Sequence, residues 1–181
     1  MSQPEYPAHL VSEWRGPGGA PVTVRPIRPE DARVEQDFVK MLSPEARYFR
    51  FMSAIRELTP QMVARFTRID YERDMAFVAI TGEAGRDEKE IGVARYIANP
   101  DGTTCEFAIV IADKWQRTGL GRYMLVRLID VARDRGLVSM HGDILASNRR
   151  MLKLADQMGF AITPSPADPA LRRATLKLLR G

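Results

Sequence analysis

A chain of 181 residues is long enough to bury one full core and short for several domains. Its composition, 45% hydrophobic and 28% charged, is that of an ordinary globular protein, and no apolar run approaches the ~18 residues that a membrane-crossing helix needs. The formal charge of +4 is spread among nearby acids, as in Asp87-Glu88-Lys89-Glu90, so the expected surface is mixed and solvated rather than a nucleic-acid face.

In chain order, the first ~20 residues are polar and interrupted by Pro and Gly. They are expected to be a flexible leader and not a signal peptide, with the folded domain spanning residues 21–181. Residues 21–29 alternate through Val22, Val24 and Ile27 and predict a strand closed by Pro29. A helix is expected from there to about Leu42, with Glu30 and Asp31 in its first turn serving the helix dipole. Ser43-Pro44 and Thr59-Pro60 each place a capping hydroxyl before a first-turn proline, predicting two further helix starts.

Residues 75–81, 91–98 and 104–112 are apolar segments joined by short polar turns, which predicts an antiparallel meander. After Gly119 the apolar period changes to that of a helix, through Leu120, Met124, Leu128 and Val131, ending at Gly136. A strand is expected over 139–145, an Asn148-capped helix through Met158, and a last strand over 171–179. The order β, helices, βββ, α, β, α, β defines an α/β or α+β domain on one mixed sheet.

Three features bear on chemistry. Gln116-Arg117-Thr118-Gly119-Leu120-Gly121 joins a strand to a helix. Glycines there admit close approach to unpaired helix-terminal amides, which favour an anion. Arg117 and Arg122 flank them. The Gly-Lys-Ser/Thr ending of a P-loop and the third glycine of a dinucleotide loop are both lacking, so a tight structural turn and a phosphate cradle both stay open. Second, Glu106 shares a strand face with Ala108, Val110 and Ala112, opposite Cys105, Phe107, Ile109 and Ile111. It is read either as a buried acid with raised pKa or as a strand-start surface residue. Third, the lone Cys105 excludes an internal disulfide, agrees with a reducing cytoplasm, and is expected in the core. No Cys/His cluster has metal spacing, so no metal is expected. His141 and Asp143 share a face and are expected to meet solvent; Asp70, Glu72 and Asp74 are either a solvated loop or an acidic rim.

The Q-x-x-G-x-G pattern between an apolar strand and an amphipathic helix resembles the acyl-CoA-binding motif of the GNAT acyltransferases. The likeness runs over about residues 21–180, and "LSPEARYFRFM", "IGVARYIANPD" and "CEFAIVIADKWQRTGLGRYML" resemble the bacterial Pat-type protein lysine acetyltransferases. Even "YPAHLVSEW" resembles the linker before the Pat catalytic domain. The resemblance implies a mostly antiparallel sheet flanked by helices and splayed at the acyl-CoA site. It implies that acetyl-CoA lays its diphosphate on Gln116, Arg117, Thr118, Gly119, Leu120, Gly121 and Arg122. The pantetheine would run beside Ile109, Val110 and Ile111, near Asn148, whose other reading is a helix cap.

A lysine amine has a reference pKa of about 10.4, so on the order of one in a thousand is neutral at pH 7 and a general base is useful. The resemblance places Glu106 in that role. It also implies a protein lysine acceptor, with acyl-CoA synthetases as candidates; a small amine or amino acid, or a non-catalytic acyl-CoA-binding domain, are the alternatives. Many GNAT enzymes protonate the leaving thiolate with a Tyr where this chain has Ala155. Either water or another donor serves, or none is needed.

Overall fold

The computed structural model describes residues 4–179. The strands are β1 (Ser12–Arg15), β2 (Pro21–Pro26), β3 (Asp74–Thr81), β4 (Lys89–Ala98), β5 (Thr104–Ile111), β6 (Ser139–Leu145), β7 (Ala161–Pro164) and β8 (Leu171–Lys177). They form one sheet in the order β1-β2-β3-β4-β5-β6-β8-β7, antiparallel except for the β5–β6 pair. Five helices flank it: α1 (Ala32–Met41), α2 (Pro44–Phe51), α3 (Pro60–Thr67), α4 (Leu120–Asp134) and α5 (Arg149–Gln157). This is the mixed α/β arrangement that the element order predicts.

Local chemistry starts the helices where expected. The Ser43 side chain accepts from the Ala46 amide at 3.1 Å and Thr59 from Met62 at 3.2 Å, each ahead of a first-turn proline. The acids before α1 behave differently from expectation. Asp31 is buried and takes two hydrogen bonds from the Arg25 guanidinium, at 2.7 and 2.8 Å, plus the Arg28 amide. It ties β2 to the entry of α1 rather than offering an exposed charge to the helix dipole.

The two sheet faces follow from strand alternation. A Cβ built on Gly92 would meet Ile111 and Met124, and one on Gly121 would meet Ile111, Leu154 and Ile109. Ile109 and Ile111 therefore look toward α4 and α5. On the other face Arg95 pairs with Glu35 of α1 and lies over the Phe66 ring of α3. The β4–β5 register sets Arg95 beside Ala108 and Ile97 beside Glu106. Glu106, Ala108 and Val110 therefore look toward α1, α2 and α3.

Two departures concern the edges. The leader expected to lie outside the core contains β1, paired with β2 from Ser12↔Val24 to Arg15↔Pro21. Tyr6 of the same segment donates its hydroxyl to the Pro26 carbonyl and meets the Tyr71 ring edge-on. At the opposite edge, β7 pairs with β8 in a segment for which no strand is expected.

Candidate acyl-transfer site

The sheet is sealed on one side of β5 and open on the other. β4 and β5 pair along the length of β5, from Gly92↔Ile111 to Ala98↔Cys105. β5 and β6 pair only at Thr104–Glu106 beside Ser139–His141. β6 then follows β8 through Leu145. Beyond Glu106 the two central strands diverge, leaving the β6-side edge of residues 107–111 without a strand partner. Gly142 stands at the fork: a Cβ there would lie 2.8 Å from the Phe107 ring and 3.0 Å from its carbonyl oxygen. A side chain at this position would force the strands apart where they still touch.

The fork holds a small cleft of about 40 Å³. Its lining includes Arg50 and Met52 from the end of α2, Ala108 and Ile109 of β5, Asp143 of β6, and Met151 of α5. Arg50 and Met52 belong to one face of the sheet and Met151 to the other, so the opening connects both faces.

On the α4 side the glycine loop leads to this opening. Arg117 and Gly119 both have positive φ, +62° and +92°, and Gly119 is the residue before α4. This turn leaves the amides of Arg117, Thr118, Gly119, Gly121 and Arg122 with no protein acceptor among the described residues; Leu120 has only a 3.5 Å contact to the Thr118 hydroxyl. Arg117 and Arg122 are exposed beside them. Free amides, a helix N-terminus and two cations make a fitting cradle for a diphosphate.

Two of the expected cofactor contacts have their side chains occupied. Gln116 donates to the Ile111 carbonyl at 3.1 Å and accepts from Arg150 at 2.6 Å, lashing the loop to the end of β5 and the start of α5. The Asn148 side chain caps α5 through the Met151 amide at 3.2 Å, while the residue lines the cleft. Ala155 is fully buried.

On the other face Glu106 stands where β5 leaves β6. It is exposed, the second of the two readings that its strand position leaves open, and its neighbour on β4, Ile97, is itself 38% exposed. His141 is beside it across the parallel pair, and Asp143 shares that face. Asp143 is engaged rather than solvent-facing, accepting two hydrogen bonds from Arg173 of β8, at 3.0 and 3.1 Å. That carboxylate raises the pKa of Arg173.

Arg50 reaches the same region from α2 and stacks on Phe51, with its guanidinium carbon 4.8 Å from the ring centre. Burial first, and then the nearby Arg95, push its pKa down to about 10, so it stays cationic at neutral pH. Neither arginine carries a sequence signal, because only the fold brings α2 and β8 to Glu106. The expected acidic rim does not line the cleft. Asp70 accepts three backbone hydrogen bonds, from Glu72, Arg73 and Asp74, and is a turn former.

Cys105 points away from Glu106 into the core, and burial pushes its thiol up to about 12, a poor setting for a nucleophile. Among the described residues no three His, Cys, Asp or Glu side chains are grouped to hold a metal, and no helix is long and apolar enough to cross a membrane.

A mixed sheet splayed between its central strands, with free amides at the start of the helix that follows β5, is an arrangement suited to an acyl-CoA-dependent transferase. Residues 22–161 match the acetyltransferase (GNAT) domain family, and the chain belongs to that family. It is therefore an acetyltransferase that moves an acyl group from acyl-CoA. It is 40% identical over 150 residues to an acetyltransferase of Pseudomonas aeruginosa, covering 83% of this chain and 80% of that one. It is 27% identical over 137 residues to the acetyltransferase Pat of Mycolicibacterium smegmatis, covering 75% of this chain and 40% of that protein's length. Its fold matches the GNAT domain of S. lividans Pat with a TM-score of 0.85, at 26% identity, over 96% of this chain and 99% of that one.

Proposed function

We propose that the protein acetylates the ε-amino group of a lysine in a protein substrate, using acetyl-CoA, with Glu106 as general base. The observation that carries this reading is the fork between β5 and β6, where the exposed carboxylate of Glu106 stands at the last paired residue of β5, on the sheet face opposite the free amides of the glycine loop.

In this reading the amides from Arg117 to Arg122 hold the donor's diphosphate. The unpaired edge of Ile109, Val110 and Ile111 aligns the pantetheine amides as a peptide is aligned on a sheet edge. The acceptor enters from the α2 side. Its nitrogen attacks the thioester carbonyl carbon; a C–N bond forms and the C–S bond breaks. The proton lost by nitrogen passes to Glu106, directly or through one water. The sulfur leaves as a thiolate, an acceptable leaving group near neutral pH, which suits a site with Ala155 in place of a phenol.

A protein acceptor is supported by the likeness to the Pat proteins. It is also supported by exposed apolar surface on the acceptor side, with Met52 lining the cleft and Ile97 paired beside Glu106. The test is mass spectrometry of acetyl-lysine after incubation with acetyl-CoA and candidate proteins, acyl-CoA synthetases first. Acetylation that is absent from the Glu106→Gln variant supports the reading. Acetylation of free small amines alone would replace the acceptor class, and unchanged transfer by the variant would remove Glu106 from its role.

A further inference from the structure

The charge beside Glu106 is cationic, and that bears on what the acceptor must carry. Arg25, Arg95 and Arg173 each have a carboxylate partner: Asp31, Glu35 and Asp143. Among the described residues Arg50 has none. Its guanidinium is held instead by aromatic rings, 4.8 Å from the Phe51 centroid and 5.8 Å from that of Phe66. Those two rings stack on each other, 6.4 Å apart and 21° from parallel. The left-handed Met52 ends α2 immediately after Phe51, so the arginine sits on a fixed helix end and lines the cleft together with Asp143. A cation clamped on an aromatic shelf, with hydrogen-bond donors unspent, is pre-organised for a planar anion. Arg173 does not compete for that anion, because Asp143 takes two of its donors.

We infer that Arg50 is a specificity-determining residue that binds a carboxylate carried by the acceptor close to its reactive amine. The inference rests on the reading that the Glu106 side of the fork is the acceptor side. Glu106 takes the amine and Arg50 takes the carboxylate, so the acceptor is oriented at two points of opposite charge. The carboxylate has two possible sources: an acidic residue next to the target lysine, or the α-carboxylate of a free amino acid.

The experiment compares acceptors that differ only in that charge. One arm uses N-acetylated, C-amidated peptides with Glu or Gln next to the lysine; the other uses leucine and leucinamide. Wild type should favour the carboxylate member of one arm by about tenfold or more in kcat/KM, chiefly through KM, and the favoured arm names the source. Arg50→Gln should erase that preference, and Arg50→Lys should restore part of it. The same compounds are titrated into the CoA-loaded Glu106→Gln variant, where the carboxylate member should bind more tightly without turnover.

Equal use of charged and neutral members in both arms overturns the inference while leaving the transferase reading intact. A uniform loss of kcat/KM for every acceptor in Arg50→Gln, with a displaced pH profile, also overturns it, because Arg50 would then act only on the charge of Glu106. If no amine is acetylated at all, the acceptor-side reading fails, and the titration still decides whether Arg50 holds a carboxylate.

Discussion

The two neighbours of β5 make opposite use of the same strand. β4 seals to it from end to end, and the sealed side of the sheet holds buried ion pairs, Arg25 with Asp31 and Arg95 with Glu35, beside Glu90 at 2% exposure with neither carboxyl oxygen bonded. β6 lets go of β5 after three residue pairs; Arg50 lines the opening, and Glu106 stands exposed at the last of those pairs. Sealed charge fixes where elements sit; charge at an opening is left available to a ligand. The difference lies in strand pairing rather than in residue type, since both sides use Arg and Glu.

The largest effect that would sharpen this contrast is expected at the opening. Glu106→Gln should lower acetyl transfer by about 10²- to 10⁴-fold while acetyl-CoA affinity, read by calorimetry, stays within a small factor. On the sealed side, Asp31→Ala strands a buried guanidinium. It should cost about 3–5 kcal/mol of folding stability in urea unfolding, with little change in acetyl-CoA affinity of the folded fraction. Gly142→Ala lies between the two regimes. The Phe107 carbonyl at 3.0 Å cannot move cheaply, so a loss of about 1–3 kcal/mol is expected together with weaker donor binding. A Gly142→Ala variant as stable as wild type would show that the fork is softer than its geometry implies.

The smallest effect concerns pH. Burial, and then the neighbouring Glu35 carboxylate, raise Glu90 well above the usual glutamate range. In the window between its unfolded and folded pKa the native state holds the proton that the unfolded state has released. Stability from this group is therefore complete below about 4.3 and falls as pH rises toward the folded value. Glu90→Gln should flatten that part of the stability–pH curve and raise stability on its alkaline side; a curve unchanged in slope would break the account of the sealed region.

Much of this was legible in the sequence because it depends on neighbours along the chain. Ser43, Thr59 and Asn148 cap helices as their positions imply, and Gly119 takes the positive φ that its turn demands. Alternation placed Cys105 and Glu106 on opposite faces correctly. It did not say which face is covered, and so Glu106 could be read either as a buried acid or as a surface residue; it is exposed. β1, reading Ser-Glu-Trp-Arg, has no β-branched residue and alternates only in burial, so nothing local marks it as a strand. Arg50 and Arg173 are 123 positions apart and converge through the sheet order alone.

The unheralded first strand reaches further than its four residues suggest. Its Trp14 ring lies against Gly119, the positive-φ residue before α4, with 3.9 Å to the place a Cβ would take. Ser12 accepts from Tyr123, and the Leu10 carbonyl accepts from Arg127 at 2.6 Å, so the segment is moored to α4 along two turns. A protein trimmed to begin at Pro21 would keep Glu106, the fork and the glycines, and lose the ring that lies against Gly119. The segment around Ser12 thus braces the glycine loop from outside the sheet's central strands.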